Sequence, residues 1–290
     1  MFLTFLSDFG FEDAFLGVCK GVIARTAPQV RVLDVLHLIA RQDVEQGAVV
    51  LAGALPYLPA PAVHLALVDP FRSTPVRPVA VRTADGSVFV APDNGLTSQA
   101  WTVAGGAVSA HVLDDESLWL TTTARTFRAR DVYSPVAALL AAGLPVARVG
   151  TEVPVEDLAR LDQRPPTVDD DHVHAEVVQV DHFGNLTLNI QRADLEAAGV
   201  GLGDRLELRC GGKTLSVPFC LTYGEVPRGR LAVCEDSFRT VTIAVNGGSA
   251  AATLRARRAD PLVLARLQVE PAPAIGPVRV YEHAPSTVTA

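Results

Sequence analysis

The fold is decided by residues 2–10, FLTFLSDFG, in which a run of apolar residues ends in a polar turn. Apolar residues at consecutive positions are typical of a parallel strand that is buried on both faces. The next stretch, Phe15 to Ile23, has the pattern of an amphipathic helix, and Asp13 is predicted to cap its start. Ser7 and Asp8 are therefore expected at the carboxyl end of a strand, where open α/β sheets bind their ligands.

Two further strands of the first half are also predicted to end in polar residues. Ala62 to Val68 is followed by Asp69, and a hairpin across Ala84-Asp85-Gly86 runs into Asp93 and Asn94. Helical patterns separate most of these strands, and such alternation indicates a sheet with helices packed on its faces. We predict an α/β domain over residues 1–152, with a mostly parallel sheet.

The second half of the chain differs from the first in composition and in the spacing of its apolar residues. Residues 153–172 contain Pro165-Pro166 and the acidic triplet Asp169 to Asp171, which is typical of a linker. Short apolar alternations then dominate, so residues 173–270 are predicted to form a smaller, antiparallel β domain. Residues 271–290 are rich in proline and are predicted to form an extended tail.

Composition excludes several classes of protein. The 290 residues carry a formal charge of −7, without a basic tail or stripe, which disfavours a nucleic-acid binder. No apolar run approaches the ~18 residues of a membrane span, and the start lacks the pattern of a signal peptide. We therefore expect a cytoplasmic protein. The four cysteines form no C-x-x-C pair, so neither a metal nor a redox cofactor is expected.

Five polar segments occur in an order and spacing that resemble the S-adenosylmethionine hydroxide adenosyltransferase family. The relatives of this family include adenosyl-fluoride and adenosyl-chloride synthases, and the resemblance extends from residue 2 to about residue 258, with Ser237 and the segment Ile243 to Gly247 near its end. The five segments are Ser7 to Gly10 with Asp13 and Lys20-Gly21, Val68 to Pro70, Ala91 to Leu96, Thr126 to Asp131 and Asp181 to Ile190.

The resemblance implies an enzyme that acts on S-adenosyl-L-methionine without a cofactor. The implied reaction is an in-line displacement at the ribose C5′, in which water yields adenosine and L-methionine. The resemblance further implies a homotrimer, in which each site lies between the N-terminal domain of one subunit and the C-terminal domain of the next. Small molecules, and neither nucleic acid nor membrane, are the expected partners.

The resemblance also implies roles for individual residues. Asp8 would accept both ribose hydroxyls, Asp13 and Asp181 would face the methionine ammonium, and Ser237 would bind its carboxylate. Asn185 would bind the adenine edge. The substrate-binding residues predicted in this way are Asp8, Asp13, Asn94, Asp181, Phe183, Asn185, Tyr223, Ser237, Asn246 and Gly247.

The predicted catalytic residues are Asp69 and one or more arginines. A carboxylate at position 69 would repel a halide and could orient or deprotonate a water molecule. Members that use water typically carry an Arg where this chain has Val76, and a His where it has Arg128. Three arginines are candidates to replace the missing pair, and the sequence does not choose among them: Arg72, Arg77 and Arg128.

These departures leave two other interpretations open. One is a protein that binds S-adenosylmethionine or adenosine without turning it over, because Arg128 cannot act as a base near neutral pH. The other is a chloride-using synthase, which Asp69 disfavours.

Overall fold

The computed structural model describes residues 1–68, 76–121, 126–161, 165–169 and 171–267. It contains two sheets, one in each half of the chain. The predicted tail at 271–290, and the predicted catalytic residues Asp69 and Arg72, lie outside the described residues.

The N-terminal sheet has seven strands in the order β2-β1-β3-β5-β4-β6-β7. The strands are β1 (Phe2–Ser7), β2 (Arg31–Leu36), β3 (Val63–Leu67), β4 (Pro78–Thr83), β5 (Val88–Pro92), β6 (Ala107–Val112) and β7 (Glu152–Val153). The helices of this half are α1 (Phe15–Thr26), α2 (Val44–Ala54), α3 (Ser98–Val103) and α4 (Ser134–Ala141), and a π-helical turn, Ala129–Tyr133, leads into α4.

Strand β1 lies inside the sheet, as the sequence predicts. It pairs in parallel with both β2 and β3. Leu3 and Phe5 are buried in the apolar core on one face, and Leu6 is buried in the core on the other. Because the strand is covered on both sides, its carboxyl end is the part that can meet a ligand.

The prediction of a mostly parallel sheet is wrong. Three pairings are parallel, β1 with β2, β1 with β3, and β3 with β5. The other three are antiparallel, β4 with β5, β4 with β6, and β6 with β7. The cause is local, since a short turn at Ala84 to Gly86 joins β4 to β5, and two strands joined by a hairpin must run in opposite directions.

The C-terminal sheet is antiparallel and nearly closes into a barrel. Its main order is β12-β11-β15-β9-β10-β14-β13, with β8 paired to β9, and an isolated bridge between Phe219 and Val233 links the two ends. The strands are β8 (Thr167–Asp169), β9 (His172–Val180), β10 (Leu186–Leu188), β11 (Arg205–Cys210), β12 (Lys213–Pro218), β13 (Leu231–Glu235), β14 (Val241–Val245) and β15 (Pro261–Arg266), with helices α5 (Arg192–Ala197) and α6 (Ala250–Leu254). Strand β8 falls inside the stretch predicted to be a linker.

Helix α2 connects the two halves of the molecule. At its start, the guanidinium of Arg258 lies 2.7 Å from a carboxylate oxygen of Asp43 and 2.9 Å from one of Glu45. Beyond its end, the Tyr57 hydroxyl donates a hydrogen bond of 2.9 Å to the Ser237 carbonyl oxygen. The C-terminal half is thus held against both ends of one helix. Within the described ranges, none of the helices has the length and apolarity needed to cross a membrane.

Candidate active site

A cleft of about 920 Å³ opens at the carboxyl end of β1. The turn after β1, the loop after β2 and the segment around the π-helical turn form its walls, in agreement with a ligand site at a strand end. The lining residues are Asp8, Phe9, Gly10, Phe11, Glu12, Asp13, Phe15, His37, Leu38, Ile39, Ala40, Arg41, Gln42, Leu67, Pro92, Thr126, Phe127, Arg128, Ala129 and Tyr133.

Asp8 is held at the cleft by a backbone contact from the facing loop. The Gln42 N–H donates a hydrogen bond of 2.8 Å to Asp8 Oδ2. Gln42 has a left-handed backbone conformation, φ 64°, which is uncommon for a residue other than glycine. Burial raises the pKa of the Asp8 carboxyl, while the Gln42 hydrogen bond acts in the opposite direction. The strained loop therefore anchors a partly desolvated carboxylate beside the cleft.

Asp13 lies at the mouth of the same cleft. Its predicted role as the cap of α1 is wrong, because no side chain caps this helix. Ala14, which occupies the capping position, already has helical backbone angles of φ −75° and ψ −3°. The chain thus enters the helix without using the Asp13 carboxylate as a cap.

Three phenylalanines that sequence reasoning missed form one wall of the cleft. The ring centroids of Phe9 and Phe15 lie 6.3 Å apart, those of Phe9 and Phe127 6.2 Å, and those of Phe15 and Phe127 5.1 Å. The signal in the sequence is the density of aromatic residues after β1. An apolar wall beside carboxylates suits a ligand that has both an apolar and a polar end.

The arginines expected to complete the site occupy different environments. Arg128 lines the cleft, its Nη1 donates a hydrogen bond of 2.9 Å to the Val76 carbonyl oxygen, and its guanidinium lies 6.0 Å from the Tyr133 ring centroid. Arg77 is instead bound to Asp93, with 2.6 Å between Nε and Oδ2. Arg128 thus ties the cleft wall to the residue that follows the segment 69–75.

Neither Arg77 nor Asn94 is among the described residues that line the cleft. The Asn94 side chain donates a hydrogen bond of 2.8 Å to the Val68 carbonyl oxygen and accepts one of 3.1 Å from the Leu96 N–H. Asn94 therefore braces the chain immediately before Asp69, a structural task that its position after β5 explains.

The remaining predicted substrate-binding residues lie on the C-terminal half. The Asp181 carboxylate accepts hydrogen bonds from the N–H groups of Phe183 and Asn185 and from the Asn185 side-chain amide, at 2.9, 2.8 and 2.7 Å. Asn246 donates a hydrogen bond of 2.7 Å to the Val226 carbonyl oxygen. These residues shape two turns, and the described residues that line the cleft include none of them.

Three aromatic side chains stand out from the C-terminal half. Phe183, Tyr223 and Phe238 are 75%, 51% and 55% exposed. Phe238, next to Ser237, partly covers Gly53 of helix α2 within the same chain. Exposed large aromatic residues next to predicted ligand-binding residues indicate a surface that contacts a ligand or another chain. A single chain thus carries the two predicted halves of the site at separate places.

Comparison with known proteins gives matches over both halves of the chain. The family model described as the SAM hydroxide adenosyltransferase N-terminal domain matches residues 3–150, and the model of the corresponding C-terminal domain matches residues 175–263. The chain is 41% identical to an (R)-S-adenosyl-L-methionine hydrolase from Salinispora tropica, over 90% of this chain and 96% of the relative.

Two other matches are to a fluorinase and to a solved structure. The chain is 29% identical to a fluorinase from Nocardia brasiliensis, over 72% of this chain and 78% of the relative. A crystal structure of an uncharacterized conserved protein from Thermotoga maritima has a TM-score of 0.86 and 32% identity, and the match covers 91% of this chain and 100% of that one.

Proposed function

Because this chain belongs to the SAM hydroxide adenosyltransferase family, we propose that it is an enzyme that converts S-adenosyl-L-methionine and water to adenosine and L-methionine. The match of both family domains, together with 41% identity to a relative named a hydrolase, carries this proposal. The fluorinase relative is more distant, at 29% identity, which favours water over a halide as the nucleophile.

In the proposed reaction, a water oxygen attacks the ribose C5′ as the bond from C5′ to sulfur breaks. The electron pair of that bond stays on sulfur, so methionine leaves as a neutral thioether, and the water gives up a proton. Since the sulfonium is already a good leaving group, the protein mainly aligns the three reacting atoms and limits access of bulk water. A cleft with an aromatic wall next to carboxylates supports such a role, because it can both orient the substrate and limit its contact with water.

Asp8 is proposed to accept hydrogen bonds from both ribose hydroxyls. A carboxylate has two oxygens that can meet two adjacent hydroxyls, and the Gln42 N–H fixes its orientation beforehand. Asp13, which lines the mouth of the same cleft, is proposed to face the methionine ammonium. Both roles place positive or hydrogen-bond-donating groups of the substrate against carboxylates.

Asp69 is proposed to orient the attacking water and to take its proton. Arg128 is the proposed replacement for the Arg and His that typical members carry, and its contact with the Val76 carbonyl oxygen supports this choice over Arg77, which is engaged by Asp93. A guanidinium cannot act as a base near neutral pH. Arg128 would therefore hold the exit of the 69–75 segment and stabilise the ionised Asp69 by its charge.

The C-terminal ligand set is proposed to serve the cleft of a neighbouring subunit in a homotrimer. Two features support this arrangement: the cleft draws its described lining from the N-terminal half alone, and Phe183 and Tyr223 are exposed. In that assembly Asp181, Asn185, Ser237, Asn246 and Gly247 would complete the methionine and adenine contacts of the next subunit, with Phe183 and Tyr223 as aromatic surfaces.

The test is to incubate the purified protein with S-adenosyl-L-methionine and to follow the products by chromatography with mass detection. Each sulfonium epimer is used separately, because the Salinispora relative is named for the R form. Reactions without enzyme correct for spontaneous decay. We expect equal amounts of adenosine and methionine, and a yield that does not respond to high chloride.

Two outcomes would contradict the proposal. A chlorinated nucleoside that grows with chloride concentration would identify a halide-using enzyme. Binding of S-adenosylmethionine in calorimetry, without product above the control, would identify the non-catalytic binder that Arg128 in place of the usual His leaves open.

A further inference from the structure

Four polar side chains connect the protein surface to the residue that precedes Asp8. Lys20 Nζ, on α1, donates a hydrogen bond of 2.9 Å to Asp34 Oδ2, on β2. His37 Nε2 lies 3.2 Å from the other carboxylate oxygen of Asp34. On the far side of the ring, His37 Nδ1 lies 2.7 Å from Ser7 Oγ. The four groups thus form one continuous chain from α1 to the end of β1.

The proton positions in this chain follow from the chemistry of its ends. An ionised carboxylate only accepts hydrogen bonds, so the ring proton of His37 belongs on Nε2, towards Asp34. Nδ1 is then the acceptor for the Ser7 hydroxyl. Ser7 Oγ in turn accepts a long hydrogen bond of 3.4 Å from the Phe9 N–H. With a neutral imidazole, Nδ1 can thus accept from the Ser7 hydroxyl. The protonated Nε2 lies 3.2 Å from Asp34 Oδ1, a close polar contact that falls short of a well-aligned hydrogen bond.

The same histidine also holds the far end of the turn. The Gly10 N–H donates a hydrogen bond of 2.7 Å to the His37 carbonyl oxygen. The Phe5 and Phe11 rings meet the imidazole edge-on, with centroids 4.9 and 5.7 Å away. His37 thus fixes both Ser7 and Gly10, and Asp8 lies between them.

Although the chain contains serine, histidine and aspartate, its geometry does not suit nucleophilic catalysis. Ser7 and His37 are both fully buried. A nucleophile must reach the substrate, and a hydroxyl enclosed beneath the cleft cannot do so. The arrangement suits a group that holds a neighbouring residue in place.

We propose that Lys20, Asp34, His37 and Ser7 form a positioning relay that holds the turn of residues 7–10, so that the Asp8 carboxylate faces the ribose hydroxyls of the ligand. This inference rests on the ribose-binding role proposed for Asp8. Burial lowers the pKa of His37, and this keeps the imidazole in the neutral form that the relay requires. Asp34 acts against the shift and Lys20 adds to it.

The test compares the binding of adenosine and of 2′,3′-dideoxyadenosine by calorimetry, because only the first carries the hydroxyls that Asp8 would accept. For Ser7→Ala we expect the Kd of adenosine to rise about tenfold, while the Kd of the dideoxy compound changes less than about twofold. Asp34→Asn changes a half-exposed side chain, so a smaller effect is expected: the ratio of the dideoxyadenosine Kd to the adenosine Kd should fall about threefold.

Thr4→Val is the matched control. The Thr4 hydroxyl lies 2.8 Å from His64 Nδ1, so the same strand carries a second buried pair of a hydroxyl and a histidine, away from the cleft. This variant should keep the discrimination between the two nucleosides. Equal weakening of both nucleosides in Ser7→Ala, or no weakening in either variant of the relay, would overturn the proposal.

The binding test is independent of turnover. A wild-type protein that forms no adenosine but discriminates the two nucleosides refutes the proposed reaction and leaves the relay standing. A wild-type protein that binds both nucleosides equally overturns the relay, since Asp8 then does not bind the ribose hydroxyls.

Discussion

Replacing Arg128 and Arg77 separately by Met should show that the two arginines have different roles, Arg128 in turnover and Arg77 in stability. Methionine keeps much of the side-chain volume and removes the charge and the donors. Arg128 makes one hydrogen bond to the Val76 carbonyl oxygen. A hydrogen bond to a charged group is worth about 1.5–3 kcal/mol. If this hydrogen bond stabilises the transition state and not the bound substrate, its loss raises the barrier by that amount. Arg128→Met should then lower kcat about 10- to 150-fold.

For Arg77 the structure predicts a loss of stability instead. Its Nε binds the Asp93 carboxylate, and its Nη2 donates a hydrogen bond of 2.9 Å to the Asp157 carbonyl oxygen. The Asp93 side chain is 7% exposed, whereas that of Arg77 is 38% exposed. Because solvent screens Arg77, the cost of breaking the pair falls below that of a buried pair, to about 2 kcal/mol. Arg77→Met should therefore lower Tm by roughly 4–8 °C.

Turnover and Tm are measured on the same samples of each variant. Turnover is measured below the Tm of either variant by chromatography of adenosine, and Tm is measured by calorimetry. Arg128→Lys is the control for charge, because it keeps a cation but loses the planar set of donors. The reasoning is refuted if Arg77→Met abolishes turnover at an unchanged Tm while Arg128→Met turns over like the wild type.

Three further predictions concern single side chains. Asp69→Asn should abolish turnover and leave the Kd of adenosine within about threefold of the wild type; unchanged turnover would exclude Asp69 from the reaction. Asp8→Asn should bind adenosine more weakly but raise Tm at pH 7, because burial raises the pKa of Asp8 and makes its charged form costly. By the same shift, adenosine binding by the wild type should be lost on acidification at a higher pH than an ordinary Asp would give. Burial lowers the pKa of His64 to about 4, so stability should fall as the pH drops from about 6.5 towards 4, where the unfolded chain binds the proton first. His64→Gln should flatten that part of a plot of Tm against pH.

The sequence predicts the part of the fold that depends on local pattern. Strand β1 is apolar at consecutive positions and is buried on both faces. Asp43, of a residue type that favours the capping position, accepts a hydrogen bond from the Gln46 N–H at the start of α2. The hairpin at Ala84 to Gly86 is likewise readable from its turn residues. Its position in the sheet is not, because β5, the second arm, inserts beside β3 in parallel.

The same distinction applies to the site. Asp8 could be placed at this edge of the sheet because it follows a strand whose carboxyl end can meet a ligand. The ligand role of Asp13 comes from the family resemblance alone, since its pattern predicts a helix cap that the structure does not have. His37 could not be predicted, since it stands in no recognisable motif, and the side chain of Gln42 gives no sign of the contact that its backbone makes. His37 acts through neighbours that are distant in sequence, and Gln42 acts through its backbone N–H. A role that depends on contacts with residues distant in sequence, or on a backbone N–H, cannot be recognised from the type of the residue.

Helix α2 links the two halves of the proposed site in an unexpected way. Gln42, directly before the helix and its cap, holds Asp8 in the cleft of its own chain. Tyr57, just beyond the other end, binds the carbonyl oxygen of Ser237. In the proposed trimer Ser237 serves the cleft of the neighbouring subunit, so one helix would carry the anchor of its own site at one end and support for the next site at the other. Rigid connection through a helix of 11 residues would then keep successive sites in a fixed geometry.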